Sequence, residues 1–193
     1  MTMVPKDDDP DAGAAPAGCA IRAARPADLP RIWEMLHGLA VYERLDHEVS
    51  GTPERLGEDL FGPGRRIDCL VAEAGDALVG YALYFPTYSS FRTAPVMWLE
   101  DLFVEPGERG RGTGRALMAA LARVALERGC QGLGWLVLDW NRPSIAFYEA
   151  VGARPADGGW IEYALDRGQM QALAKAEPPS ALEDQDRGGT HFK

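Results

Sequence analysis

Three glycines at alternate positions between arginines, Arg109-Gly110-Arg111-Gly112-Thr113-Gly114-Arg115, separate an apolar stretch from an amphipathic one. A glycine-rich turn that opens a helix offers bare amides and a positive helix end, which together suit a pyrophosphate. The apolar stretch before the turn ends Leu99-Glu100-Asp101-Leu102-Phe103-Val104, so two carboxylates lie close to it in sequence. Beyond the amphipathic stretch comes Asn141-Arg142-Pro143-Ser144-Ile145-Ala146-Phe147-Tyr148, followed by Val151-Gly152-Ala153. Two phosphate-binding motifs are excluded on the residues they most need. A nucleoside-triphosphate loop requires Gly-Lys-Ser/Thr at the helix start, and no Lys occurs between Lys6 and Lys175. A dinucleotide fingerprint requires a third glycine, and that position falls on Arg115 or Leu117.

What fits is Arg-x-x-Gly-x-Gly, formed by Arg109, Gly112 and Gly114. With the strand residues before it and Asn141-x-Pro143-Ser144-x-x-Phe147-Tyr148-x-x-x-Gly152 after it, the chain resembles the GNAT N-acetyltransferase superfamily over about Ile21 to Asp166. It is most similar to the diamine (spermidine/spermine) and thialysine N-acetyltransferase branch. That narrower likeness rests on Ala40-Val41-Tyr42-Glu43, Cys69-Leu70-Val71-Ala72-Glu73, Trp98-Leu99-Glu100-Asp101, Asp139-Trp140-Asn141-x-Pro143-Ser144 and Gly159-Trp160.

The resemblance implies an α/β acyl-CoA N-acyltransferase fold, with a central, mostly antiparallel twisted sheet and helices on both faces. It implies acetyl-CoA as co-substrate and no metal. Arg109, Gly110, Arg111, Gly112, Thr113, Gly114 and Arg115 would take the pyrophosphate, and the backbone of Leu102, Phe103 and Val104 the pantetheine. Asn141 and Ser144 would cap a helix, contact the coenzyme, or do both. Acetyl transfer to an amine requires loss of the ammonium proton and protonation of the departing thiolate. By the resemblance, Glu100 is the base and Tyr148 the acid. A phenol is protonated at neutral pH, as an acid must be. Tyr42, Glu43, Asp101 and Trp160 would wall the acceptor amine, carboxylates and aromatic faces both suiting a cation. Tyr42 and Trp160 have plain packing as the alternative. By the period of two, Asp101 faces away from Glu100 unless a bulge intervenes.

These groups need a scaffold. Cys19 to Ala24 alternates as a first strand. Asp28 caps a helix to about Tyr42, with Leu29, Ile32, Trp33, Leu36 and Leu39 at helical spacing. Thr52-Pro53 starts a second helix that stops at Gly62-Pro63-Gly64. Ile67–Glu73 and Leu78–Tyr84 form a hairpin across Ala74-Gly75-Asp76-Ala77, and Pro86 to Pro95 is a loop. Val96–Val104 is the central strand, and Gly114–Glu127 the helix after the turn. Leu133–Asp139 is an apolar strand buried on both faces. Pro143–Ala150 is a short helix, and Trp160–Leu165 a last strand. The order βααβββαβαβ predicts a mixed sheet.

The 193 residues carry a net charge of −9, which argues against nucleic acid as a partner. One domain is expected at residues 19–175, with disordered tails at 1–18 and 176–193. Neither a signal peptide nor a membrane span is read. Three cysteines without metal spacing point to free thiols and the cytoplasm, with Cys69 a small core residue. His37, His47 and His191 have no ligand spacing. The expected function is acetyl transfer to a small cationic amine in a ternary complex, by a homodimer as in the relatives implied by the resemblance. Peptide N-acetylation and non-enzymatic acyl-CoA sensing are the alternatives. Gly158 stands where the polyamine enzymes usually carry an acid, so thialysine or another amino-acid side chain stays open as acceptor.

Overall fold

Apolar residues run almost without a break along β2 Asp68–Ala74 and β3 Ala77–Ser89, so both faces of the sheet need cover and each recruits its own helices. A computed structural model describes residues 15–16, 18–156 and 163–175. The chain divides into a unit at 1–153 and a second at 154–193.

The first unit is built on a five-stranded sheet in sequence order: β1 Cys19–Ala23, β2 Asp68–Ala74, β3 Ala77–Ser89, β4 Ala94–Val104 and β5 Leu133–Gly134. All pairings are antiparallel except β4 with β5, which is parallel. Its helices are α1 Leu29–Glu43, α2 Pro53–Phe61, α3 Thr113–Glu127 and α4 Arg142–Ala150. One face, with Leu70, Ala82, Met97 and Leu99, packs on Leu117 and Leu121 of α3. The opposite face, with Val71, Tyr81, Leu83 and Phe103, packs on Ile32 and Met35 of α1 and Leu60 of α2. The mixed sheet with helices on both faces agrees with the expected fold class.

Several local expectations hold. Thr52 Oγ1 accepts the Arg55 N–H at 3.2 Å and caps α2, with Pro53 in the first helical position. Gly75 takes φ +59° in the two-residue turn between β2 and β3. Cys69 is buried, and burial pushes its thiol pKa up, as suits a core residue.

Three expectations are corrected. Residues 86–95 are not a loop: β3 and β4 continue as a hairpin, pairing Pro86 with Met97 and Tyr88 with Pro95. The strand at Leu133–Asp139 ends at Gly134, and Leu136 is 68% exposed. The apolar run signals a neighbour, but β4 leaves β5 after Trp98, and no other described strand pairs with residues 135–139. No strand forms at residues 163–165; residues 157–162, including Trp160, lie outside the described part. In the second unit the chain forms α5, Arg167–Ala174, closed by a reciprocal Asp166–Gln169 cap with both bonds at 2.8 Å.

Gly80 shows how tightly β3 meets β4. A Cβ there would lie 2.7 Å from the Phe103 carbonyl oxygen, which is backbone and cannot swing aside. Gly80→Ala is expected to destabilise the fold by about 1–3 kcal/mol through overpacking. Urea unfolding checks this: the midpoint should fall with an unchanged slope, and a wild-type midpoint would show that the strands can part without cost.

Candidate active site

β4 carries an irregularity where it matters most. Leu83 pairs with Asp101 and Tyr84 with Leu99, leaving Glu100 without a partner on β3. This is a β-bulge, and it resets the alternation of faces. Phe103 and Leu99 lie four residues apart yet belong to opposite cores. Glu100 is exposed and accepts the Trp98 indole N–H at 3.0 Å. Asp101 is partly buried and accepts the Tyr81 hydroxyl at 3.1 Å.

Beyond Trp98, β4 has no strand beside it on the β5 side among the described residues. Leu99 to Val104 therefore leave a sheet edge open to an extended ligand that brings its own amides. Leu102 and Val104 pack toward α3 and Phe103 toward α1. The Val104 carbonyl already accepts Arg109 Nε at 2.9 Å.

The turn following β4 has the geometry of an anion cradle. Gly110 and Gly112 take φ +73° and +94°, and a Cβ at Gly110 would meet nothing within 4 Å. Gly112 is the residue before the first turn of α3, so the loop amides and the helix end converge. Gly114 differs. Its φ is ordinary, and an added Cβ would sit 3.4 Å from Phe147 Cζ and 3.8 Å from Val104 Cγ2. Its bareness serves the approach of α3 to α4 and β4. Thr113 is buried beside Cys19 rather than open to a ligand. Arg111 pairs with Glu108 at 3.3 Å, and Arg115 is exposed. The residues therefore fit a pyrophosphate at Gly110–Gly112 and the α3 end, with the arginines around it.

Arg109 lies over the Tyr42 ring at 4.8 Å and the Phe103 ring at 5.7 Å. Tyr42 donates its hydroxyl to Asn141 Oδ1 at 3.0 Å, and the same oxygen accepts the Ser144 N–H at 3.3 Å. Asn141 is thus a buried cap of α4 that also ties α1 to it. Tyr42 thus links the turn to α4. Glu43 ends α1, where Arg44 closes the helix at φ +63°, an uncommon value for a side chain other than glycine.

Tyr148 on α4 packs on Trp135 and Phe147, with ring centroids at 4.9 and 5.2 Å. Burial pushes its pKa to about 12, with Glu43 and Asp101 adding in the same direction. Burial pushes the Glu43 carboxyl above its ordinary value. Asp101 reaches about 6: burial raises it most, Tyr81 lowers it, and Glu100 and Glu43 raise it further. Tyr148, Asp101 and Glu43 thus form one electrostatic cluster drawn from α4, β4 and α1. Among the described residues no group of His, Cys, Asp and Glu could hold a metal ion. Tyr81 is the member that sequence reasoning missed. Its signal, a phenol in an apolar strand that also carries Tyr84 and Tyr88, is legible only once its register against Asp101 is known.

A β4 edge open beside a glycine-rich turn, next to a cluster of proton-holding groups, is the arrangement expected of an acyltransferase. The profile of the acetyltransferase (GNAT) family matches residues 32–153, and the chain belongs to that family. It is an N-acetyltransferase in class. The mouse (Mus musculus) thialysine N-epsilon-acetyltransferase is 36% identical over 168 residues, covering 82% of this chain and 98% of that protein. Human (Homo sapiens) spermidine/spermine N(1)-acetyltransferase-like protein 1 is 31% identical over 81% of this chain and 24% of its own length. An integron cassette protein from the mobile metagenome of V. cholerae has a similar fold, with TM-score 0.67 at 23% identity, covering 82% of this chain and 99% of that one.

Proposed function

We propose that the protein transfers the acetyl group of acetyl-CoA to the primary amine of a small cationic substrate, in a ternary complex. The observation that carries this reading is the convergence of Glu43, Asp101 and the Tyr148 phenol: both carboxyls raise the Tyr148 pKa, and Glu43 raises that of Asp101. Burial raises both carboxyls, and a cation placed near them favours their ionised forms. An ammonium group supplies that cation and would strengthen both carboxylates. The pyrophosphate would rest on the amides of Gly110–Gly112 and the α3 end. The pantetheine would lie along the β4 edge, displacing Arg109 from the Val104 carbonyl.

The proton balance defines the residues' work. The ammonium nitrogen loses two protons overall, one before and one after it bonds to the acetyl carbon. A carboxylate of the Glu100–Asp101 pair accepts the first. Tyr148 donates its proton to the sulfur as the carbon–sulfur bond breaks, and is restored by one of those two protons. The other proton leaves to solvent. Tyr42, Glu43, Asp101 and Trp160 remain our proposed wall for the acceptor, and a homodimer our proposed assembly.

The name of the mouse relative makes thialysine the first amine to test. Thiol release from acetyl-CoA should be measured with thialysine, lysine, putrescine, spermidine, spermine and a lysine peptide. Turnover with a free amine is expected. Turnover with the peptide alone would shift the reading to a peptide acetyltransferase. Tight coenzyme binding without turnover would shift it to a sensor.

A further inference from the structure

The bulge in β4 does more than turn one side chain. It sets Asp101 opposite Leu83 on the face that also carries Tyr81 and Phe103. Tyr81 pairs directly with Phe103, so Asp101 is its diagonal neighbour, within reach of a long side chain. Tyr81 is fully buried, its ring lies 6.2 Å from that of Phe103, and its hydroxyl donates to Asp101 Oδ2. A phenol so enclosed cannot turn toward water, and burial holds its own proton firmly. It can therefore act on Asp101 only as a donor. Glu100 has neither feature: it is exposed, and its partner is the Trp98 indole.

Resting on the reading of the protein as an amine acetyltransferase, we propose that Asp101 is the carboxylate that accepts the amine proton, and that Tyr81 is the positioning residue that aims it and holds it ionised. This exchanges the roles expected for Glu100 and Asp101. In the step, the ammonium N–H bond breaks, its electron pair stays on nitrogen for attack on the acetyl carbon, and the proton moves to Asp101.

The groups that bear on Asp101 come from every neighbouring element. Tyr81 on β3 lowers its pKa, whereas Glu100 on β4 and Glu43 on α1 raise it. Cys69 on β2 and Tyr148 on α4 feel its charge in turn. The balance leaves Asp101 at about 6. At pH 7 it is mostly ionised, yet roughly a hundredfold more basic than an ordinary aspartate.

The test is the pH dependence of kcat/KM with the best amine, in wild type and in Tyr81→Phe, Glu100→Gln and Asp101→Asn. Activity rises with pH as Asp101 ionises, so the wild-type acid limb is expected near 6. Loss of the donated hydrogen bond in Tyr81→Phe moves that limb up. Loss of the neighbouring charge in Glu100→Gln moves it down. Asp101→Asn removes the limb and lowers kcat/KM by about 10²–10³-fold. Ionisation of the free amine is common to all four and cancels in ratios to wild type. Titration with coenzyme A checks that each variant is folded, and if Tyr81→Phe is not, the Asp101→Asn and Glu100→Gln pair still decides. A limb that survives in Asp101→Asn, or vanishes in Glu100→Gln, overturns the proposal and returns the base to Glu100. A wild type inactive on every amine removes the underlying reading along with it.

Discussion

Tyr148→Phe is expected to lower kcat by about 10²–10³-fold while leaving the KM for acetyl-CoA within about twofold of wild type. The phenol at about 12 stays protonated throughout the working range, so it can only donate. Removing its oxygen removes the proton offered to the departing sulfur and little else. The ring keeps its contacts with Trp135 and Phe147, which hold α4 against the α3 side of the sheet. An effect on kcat without an effect on coenzyme affinity is the signature of an interaction made in the transition state alone. Steady-state kinetics with acetyl-CoA varied at saturating amine would measure it, and unfolding curves would confirm equal stability. A variant with wild-type kcat would show that water or another group protonates the thiolate.

How much of this was legible before the fold was seen depends on the range of the interaction. The turn at Arg109–Gly114 is local: glycines at fixed offsets before an amphipathic run specify it, and Gly110 and Gly112 take the positive φ that they allow. The helix cap at Asn141 is local too, but its second bond, from Tyr42, spans 99 residues and has no trace in sequence. The bulge lies between these cases. Alternation in Leu99–Val104 puts Glu100 and Asp101 on opposite faces, and only the pairing with β3 tells which one turns inward. The length of β5 was misjudged for a related reason. An apolar run records that a segment is half-covered but not by what, and here the neighbouring strand departs after Trp98. The same departure opens the β4 edge, so the feature that defeated the strand assignment also makes room for a ligand. Spacing groups Gly114 with its fellow glycines in the cradle, but its neighbour Phe147 gives it a packing role.

Gly112→Val should raise the KM for acetyl-CoA by about 10–100-fold. At φ +94° and ψ −6° Gly112 holds a conformation that a β-branched residue reaches only with strain of about 1–3 kcal/mol. The strain, not a clash, drives the effect: an added Cβ would meet only Pro16 Cγ, at an ordinary 3.7 Å. The turn relieves it by rotating its peptides, and the amides leave the direction that suits an anion. Because α3 begins at the next residue, its helix end is displaced from the amides with which it must act. Gly107→Ala is the matched control. It lies in the same connection, has an ordinary φ and open space around it, and should leave the KM unchanged. Calorimetric titration with coenzyme A separates affinity from turnover, since kcat at saturating coenzyme should stay near wild type once the loop is filled. Unchanged coenzyme affinity in Gly112→Val would mean that the pyrophosphate is held elsewhere, with the arginines rather than the amides supplying the binding.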